Sequence, residues 1–303
     1  MSRPPLPSRR LLIGGALGVL ALRLAVASRP AAALADPAAP RIVSIGGAVT
    51  EILYDLGLGD SIVAVDTTSL YPPEAMSSKP NVGYMRQLSA EGVLSVRPTL
   101  VIAAEGAGPP DALKLVREAG VPLVMVPEDP TEEGVLARIR ATARAVDRVE
   151  QGEKLAGETS RRFADLAALR SRIREPAGAL FILSMQNGRI MAGGRRTTAD
   201  GILALAGARN VASAIEGYKL MTDEAIVAAS PDVVVMMEHG PGGTPPADLF
   251  DEPALSQTPA GRHKRLVSMD GLYLLGFGPR TPDAARELLL ALYPDLKAGR
   301  AER

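Results

Sequence analysis

The sequence predicts an α/β protein made of two Rossmann-like lobes, with a ligand cleft between them. A block that occurs twice is the first reason: EGVLSVRPTLVIAAEG at 91–106 and EAIVAASPDVVVMMEHG at 224–240 share one internal spacing. In each copy a glutamate opens a short apolar helix, a proline follows seven residues later, and a second glutamate follows seven residues after that. Short apolar runs that alternate with helical patterns are the second reason. Two similar lobes form a cleft, and clefts bind small ligands.

The first 35 residues have the pattern of an export signal. Two arginines at 9 and 10 precede an apolar stretch at 11–26, and a small-x-small cleavage pattern ends at Ala35. We therefore interpret residues 1–35 as the signal peptide of an exported protein. The paired arginines also resemble a twin-arginine signal, which leaves the export route open. A membrane anchor is the alternative, although the uninterrupted apolar stretch is short for a span of about 20 residues.

The net charge and the cysteine content of the chain argue against several classes of binding partner and of site. Removal of the signal takes away five arginines and leaves 29 basic and 34 acidic residues, a net charge of −5. This charge argues against nucleic acid or an anionic membrane as partner. The chain contains no cysteine, which excludes disulfides, thiolate metal sites and a lipid-modified N-terminal cysteine.

Residues 36–148 are predicted to form the first lobe. Its helices end at Gly57 and Gly120, because glycine enters the left-handed conformation just past a helix without strain. Apolar runs typical of buried parallel strands and helical patterns alternate there: strands at Ile42–Ile45, Ile62–Val65, Leu100–Ala103 and Leu123–Val126, and helices at Thr50–Leu56 and Asp111–Ala119.

The segment 131–174 is predicted to connect the lobes through helices. It is rich in Ala, Arg, Glu and Leu, and Gly152 is expected to split it into a helix near 131–148 and a longer one near 150–174. We assign 149–175 as the interlobe helix. One continuous domain with an ordinary connecting helix is the alternative, and the internal repeat favours two lobes.

Residues 176–303 are predicted to form the second lobe, which repeats the alternation of the first. The predicted elements are strands at Leu180–Leu183, Val233–Met236 and Leu266–Met269, and helices at Asp200–Ala206, Glu224–Ala229 and Asp283–Leu292.

Catalytic signatures are sparse. The sequence has no HExxH, GxSxG or GxxxxGK[ST] motif. Glu51, Asp55 and Asp66 are conceivable acid–base groups, but no partner constellation accompanies them. An exported α/β hydrolase is therefore an alternative that lacks a nucleophile.

One loop indicates a ligand site. The strand Ile62–Val65 runs into DTTSLYPP, in which two prolines stiffen the chain around Tyr71. Open α/β sheets place ligands at the carboxyl ends of their strands. Tyrosine oxygen is a known axial ligand of haem iron. The alternative is a tyrosine that packs against the proline corner with its hydroxyl in water.

Four sequence blocks resemble the periplasmic haem-binding proteins of bacterial ABC importers. The resemblance covers about residues 41–293, and the YPP element is shared with vitamin B12 and ferric-siderophore binders. The blocks are VDTTSLYPPEA (65–75), VGYMRQLSAEGVLSVRPTLVIA (82–103), MAGGRRTTADGILALAGARN (191–210) and TPAGRHKRLVSMDGLYLLGFGPRTP (258–282).

The resemblance implies haem as the transported ligand, and Tyr71 as the ligand of its iron. A second axial ligand is expected at Met185 or His239, or is absent; methionine near a porphyrin also serves as packing. His263 lies in a basic stretch that is typical of a solvated surface. Other predicted haem contacts are Tyr84, Arg86, Arg195 and Arg196, whose guanidinium groups match propionate carboxylates unless they are ordinary surface charges.

The resemblance also implies a membrane partner. Glu91 and Glu224 match lobe-surface glutamates that dock onto arginines of an inner-membrane permease, which works with its ATPase; an outer-membrane haem receptor would act upstream. The competing interpretation is a first-turn glutamate favoured by the helix dipole. A ferric-siderophore or corrinoid carrier is the alternative function within binding proteins.

Overall fold

The computed structural model describes residues 40–186, 188–238, 246 and 248–298. The predicted signal peptide and His239 lie outside these residues. Within the described residues, helices and strands alternate as predicted, and the second lobe has additional short strands.

The first lobe is built on a four-stranded parallel sheet. Its strands have the order β2-β1-β3-β4, and all three pairings are parallel. Gly57 and Gly120 follow the first and fourth helices with φ of 74° and 78°, which confirms them as helix stops. The elements are β1 (Ile42–Ile45), α1 (Gly47–Asp55), β2 (Ile62–Val65), α2 (Pro73–Ser78), α3 (Ala90–Ser95), β3 (Leu100–Ala104), α4 (Pro110–Glu118) and β4 (Leu123–Val126).

Two helices, α5 (Glu132–Ala145) and α6 (Val149–Arg170), carry the chain from the first sheet to the second. The prediction that Gly152 separates them is wrong. The break lies earlier, where Asp147 has a φ of 54°. Gly152 is instead inside α6, where an added Cβ would lie 2.3 Å from the Cβ of Ala143. Its missing side chain therefore lets α6 approach α5 closely.

The second lobe has a mixed sheet. Its strands have the order β10-β9-β5-β6-β8, with β7 also paired to β5; β10, β9, β5 and β7 run parallel, while β6 is antiparallel to both of its neighbours. The antiparallel strands β6 and β8 were not predicted. The strands are β5 (Gly178–Gln186), β6 (Arg189–Gly193), β7 (Arg209–Asn210), β8 (Tyr218–Met221), β9 (Val233–Glu238) and β10 (Leu266–Asp270).

Seven α-helices of the second lobe accompany this sheet within the described residues. They are α7 (Thr198–Leu205), α8 (Asp223–Ala229), α9 (Pro253–Ser256), α10 (Pro259–Arg262), α11 (Gly271–Leu275), α12 (Thr281–Leu292) and α13 (Asp295–Ala298).

The repeated block occupies equivalent places in the two sheets. In the first copy, α3 leads into β3, which lies between β1 and β4; in the second, α8 leads into β9, which lies between β5 and β10. Each helix has a hydroxyl N-cap, Ser89 or Thr222, whose side chain accepts a hydrogen bond from a first-turn N–H. The duplication seen in the sequence is thus a duplication of structure.

One large hydrophobic core joins the lobes. Buried side chains of the first sheet, such as Val101, belong to the same cluster as Phe163 of α6, Phe181 of β5 and Phe277 before α12. A smaller cluster lies in the second lobe and includes Leu180 and Ile190. Among the described residues, no helix is both long enough and apolar enough to cross a membrane.

Candidate functional site

A cavity of about 550 Å³ lies between the lobes, at the carboxyl ends of strands from both sheets. Gly46 and Ala104 contribute from the ends of β1 and β3, and Glu238 and Asp270 contribute from the ends of β9 and β10. This is the edge at which open α/β sheets hold their ligands. Apolar and aromatic side chains dominate its walls: Val49, Leu70, Tyr84 and Met85 from the first lobe, and Leu183, Tyr218, Met237, Leu272 and Leu275 from the second.

The loop that carries Tyr71 is fixed by a buried carboxylate. Asp66, which is fully buried, accepts hydrogen bonds from Gly46 N–H (2.8 Å), Thr68 N–H (3.0 Å), Thr68 Oγ1 (2.7 Å) and Ser69 Oγ (2.9 Å). Thr68 Oγ1 in turn accepts from Gly47 N–H at 2.9 Å. Asp66 is therefore an acceptor that ties the loop to the start of α1, and its oxygens are engaged in that role.

Tyr71 lies at the rim of the cleft. It is 38% exposed and lines a smaller cavity of about 270 Å³, which shares Leu70, Asp270 and Leu272 with the larger one. The guanidinium carbon of Arg280 is 3.4 Å from the centroid of its ring. A cation at this distance over an aromatic face is attracted by the ring quadrupole.

Arg280 is itself anchored across the lobes. Its Nη2 is 2.9 Å from Oε2 of Glu51 on α1, whose side chain is almost completely buried, and its backbone N–H donates to Oε1 at 3.2 Å. The guanidinium also lies 5.2 Å from the ring of Tyr273. This buried ion pair fixes the cation between two tyrosines.

The two tyrosines around Arg280 differ in how deeply they are buried. Burial, followed by the charges of Glu287 and Asp283, raises the pKa of Tyr273 to about 12. Deprotonation of Tyr273 is therefore costly at neutral pH. The more exposed Tyr71 is the better candidate for a phenolate ligand.

The predicted arginines are separated in the structure. Arg86 is exposed and lines the main cavity, as does the exposed Tyr84. Arg195 and Arg196 do not line it; they follow β6, and Nη1 of Arg196 lies 3.4 Å from Oε1 of Glu216. A cation that was not predicted, the buried Arg138 of α5, lines the cavity instead.

The candidates for a second axial ligand are also separated. Met185 on β5 does not line the cavity and packs against the smaller hydrophobic cluster, whereas Met237 at the end of β9 does line it. His239 lies outside the described residues. His263 is exposed at the end of α10, at a different cavity.

Glu91 and Glu224 are exposed in the first turns of α3 and α8. A backbone hydrogen bond, followed by one from the Thr222 side chain, lowers the pKa of Glu224. Neither glutamate lines the cleft.

Sequence reasoning missed Arg138, Arg280 and Tyr273. The sequence block at 258–282 contained Arg280 and Tyr273, but no local spacing connects them with Tyr71. Arg138 lies in a helix rich in arginine, and nothing in that pattern distinguishes a buried arginine from a solvated one.

Several solved structures with the same fold are periplasmic haem-binding proteins. RhuT from Roseiflexus sp. RS-1, in its apo form, is 40% identical with a TM-score of 0.81, covering 85% of this chain and 99% of that one. BhuT in complex with two haems is 39% identical with a TM-score of 0.80 and the same coverage. These matches confirm the predicted fold and the resemblance to periplasmic haem-binding proteins.

Curated relatives extend the comparison to ABC transport. The uncharacterized ABC transporter substrate-binding lipoprotein YvrC of Bacillus subtilis is 29% identical over 258 residues, which is 84% of this chain and 80% of that protein. Vitamin B12-binding proteins are also relatives, for example one from Vibrio cholerae at 29% identity. The family model described as periplasmic binding protein matches residues 42–272. The chain belongs to the periplasmic binding protein family.

Proposed function

We propose that this protein binds haem in the interlobe cleft and delivers it to an ABC-type importer. The observation that supports this most strongly is the position of Tyr71, a hard oxygen donor at the rim of a cavity with apolar walls. Tyrosine ligates haem iron in proteins, and apolar walls stabilise a porphyrin by removing its surface from water. The similarity to haem-binding proteins supports the same ligand.

The side chains of the cleft take separate roles in this proposal. The Tyr71 oxygen ligates ferric iron, and the Arg280 cation stabilises the negative charge of the phenolate. Leu183, Met237 and Tyr84 pack against the porphyrin, and the exposed Arg86 pairs with a propionate at the rim. Because Met185 packs away from the cavity, we expect iron that is five-coordinate or carries a water.

Delivery relies on the outer surfaces of the lobes. Glu91 and Glu224 occupy equivalent exposed positions in the two copies of the repeat, so one partner can contact both lobes at once. We propose that this partner is an inner-membrane permease that presents arginines and is coupled to an ATPase. An outer-membrane receptor would supply the haem.

Export to the periplasm accompanies this function. The segment 1–35 acts as the signal peptide, with cleavage near Ala35 and Asp36, through the general or the twin-arginine route. Mature binding protein then meets its ligand between the two membranes.

A corrinoid is the second candidate ligand, because vitamin B12-binding proteins are relatives. Titration of the mature chain, residues 36–303, with haemin and in parallel with cyanocobalamin separates the two. The haem proposal predicts a saturable Soret shift with haemin and no retention of cyanocobalamin in equilibrium dialysis. Retention of cyanocobalamin without a Soret shift would select the corrinoid instead.

A further inference from the structure

The cleft contains a buried arginine without an acidic partner. Arg138 of α5 is 3% exposed and lines the main cavity. The five ion pairs among the described residues involve other side chains. A buried charge is costly unless it is paired and hydrogen-bonded, so this position calls for an anion.

The hydrogen bonds of Arg138 go to neutral groups on both sides of the cleft. Nε donates to the carbonyl of Pro127 at 2.8 Å, next to β4. Nη1 donates to the carbonyls of Gly276 and Phe277 at 2.9 and 3.0 Å, between α11 and α12. Both lobes therefore hold the guanidinium group. Its Nη2 atom donates no hydrogen bond to any of the described residues.

The nearest acids do not neutralise this cation. Burial lowers the pKa of Arg138, and the charges of Glu128, Glu105 and Asp129 oppose that effect. All three are exposed and accept hydrogen bonds from groups other than Arg138. Glu128, which also lines the cavity, and Glu105 link the loops after β4 and β3: Glu128 Oε2 accepts from Gly106 N–H (2.8 Å), and Glu105 Oε2 accepts from Glu128 N–H (3.4 Å). Asp129 Oδ2 accepts from Thr131 Oγ1 (3.0 Å) within its own loop. Water screens such exposed charges.

The start of α1 adds partial positive charge to the same cavity. Gly47, Ala48 and Val49 line it, and the helix has neither a side-chain cap nor an acidic residue in its first turn. The first N–H groups of a helix have no acceptor within the helix. Gly46 N–H bonds to the buried Asp66 carboxylate and Gly47 N–H bonds to Thr68, which leaves the N–H groups of the buried Ala48 and Val49 without a side-chain acceptor among the described residues.

We propose that Arg138 binds a carboxylate of the cargo within the cleft, assisted by the N-terminus of α1. This inference rests on haem as the cargo, since haem carries two propionates. One propionate pairs with Arg138 and the other meets Arg86 at the rim. Because the carbonyls that hold Arg138 belong to both lobes, the cargo carboxylate also stabilises the lobe arrangement in which they meet.

The test compares haemin with haemin dimethyl ester, in which both propionates are neutral. In the wild-type protein we expect haemin to bind at least tenfold more tightly than the ester, both measured at the Soret band in the same solvent. Arg138→Gln should lower haemin affinity about tenfold or more and change ester affinity little. Arg138→Lys should recover part of the difference, because it restores the charge.

Arg140→Gln is the matched control, since this arginine is on the same helix but forms a surface pair with Glu153. It should leave the haemin-to-ester ratio unchanged. If wild-type protein binds both forms equally, or if Arg138→Gln weakens both by the same factor, Arg138 is only a structural link between lobes and the proposal fails. Absence of binding of either form to the wild type would instead contradict haem as the cargo.

Discussion

Arg280 is in direct contact with Tyr71, although the two residues are far apart in the chain. Its guanidinium lies 3.4 Å from the centre of the Tyr71 ring and is paired with the buried Glu51. A phenolate ligand carries negative charge, and a fixed cation beside it stabilises that form. The loop around Asp66 holds the backbone, so both the ring and its charge partner are positioned before ligand arrives.

Replacement of Tyr71 tests the iron ligand. Tyr71→Phe removes the donor oxygen and keeps the ring that packs under Arg280. We expect the tyrosinate–iron charge-transfer band to vanish and haemin affinity to fall, while apolar burial retains some binding. Absorbance spectra of the haemin complex measure both effects.

Tyr273→Phe is the matched control for that experiment. Tyr273 also lies beside Arg280, and its pKa is raised to about 12, so it should not supply a phenolate at neutral pH. Its variant should keep the charge-transfer band. Loss of the band in Tyr273→Phe and its survival in Tyr71→Phe would reverse the assignment.

Replacement of Arg280 tests the charge partner. Arg280→Met alone leaves the buried Glu51 without its cation, which typically costs about 3–5 kcal/mol. The double variant Arg280→Met with Glu51→Gln removes both charges and should fold more stably than the single one. We expect the charge-transfer band of its haemin complex to be weaker than that of the wild type at the same pH. A band of the same intensity as that of the wild type would show that Arg280 does not support iron ligation by Tyr71.

The sequence predicted Tyr71 as an iron ligand, but it did not predict the residues that contact Tyr71 in the structure. Two prolines and a preceding strand are local signals, and both are visible in ten residues of sequence. The pairing of Arg280 with Glu51 spans 229 positions, and only folding brings them together. Met185 shows a second limit. The sequence predicted that it lies at the end of a strand, but it did not predict that its side chain packs against the smaller hydrophobic cluster instead of lining the cavity.

At the scale of elements, the packing of α5 against α6 depends on one glycine. A Cβ at Gly152 would lie 2.3 Å from Ala143 Cβ, whereas a Cβ at Gly157 of the same helix meets nothing within 4 Å. Gly152→Ala should destabilise the protein by about 1–3 kcal/mol through overpacking. Gly157→Ala should stabilise it by about 0.5–1 kcal/mol, because alanine has the higher helix propensity.

Denaturant unfolding of both variants measures these differences. The two substitutions are chemically identical and share a helix, so any effect of alanine on the unfolded chain is common to both. Equal stability changes for Gly152→Ala and Gly157→Ala would mean that α5 and α6 are not packed as described.

Continuous apolar runs predicted their strands well, whereas strands that carry charged side chains were missed. The strands β1, β2 and β4 have the predicted bounds, since each is a continuous apolar run of a parallel sheet bounded by turn signals. The strands β6 and β8 are of similar length but carry exposed charged side chains such as Arg189 and Lys219. Antiparallel strands can be joined without a crossover helix. The sequence around β6 and β8 therefore lacks the alternation of strand and helix patterns that marks the parallel strands.

At the scale of the whole molecule, the repeat predicts how delivery works. Replacing Glu91 and Glu224 together by alanine should leave haemin affinity unchanged and abolish haem uptake, with single variants intermediate. Each exposed contact contributes about 1 kcal/mol or less alone, and two engaged together gain from effective concentration. Uptake of haem in cells or in vesicles that carry the importer measures this.

Glu133 and Glu150 provide the control, because both are exposed first-turn glutamates of the connecting helices. The double variant Glu133→Ala, Glu150→Ala should take up haem at the wild-type rate. If the Glu91, Glu224 double variant does so as well, those glutamates only complement their helix dipoles.

The two-lobe architecture was predictable because a helix–strand block is repeated in the sequence at 91–106 and 224–240, and both copies have the same structure. The position of the cleft followed from the strand ends. What binds there depends on side chains that meet from distant parts of the chain, among them Arg138 and Leu272, and no local pattern predicts such meetings.

The most direct test of haem binding in the cleft is a haemin titration of the wild-type protein beside Leu183→Trp. Leu183 lines the cavity from β5, and a tryptophan there fills space that the porphyrin needs without altering Tyr71 or Arg280. We predict a saturable Soret shift for the wild type and a loss of at least tenfold in affinity for Leu183→Trp. Equal haemin binding by the two folded proteins would show that haem does not occupy the cleft and would contradict the account.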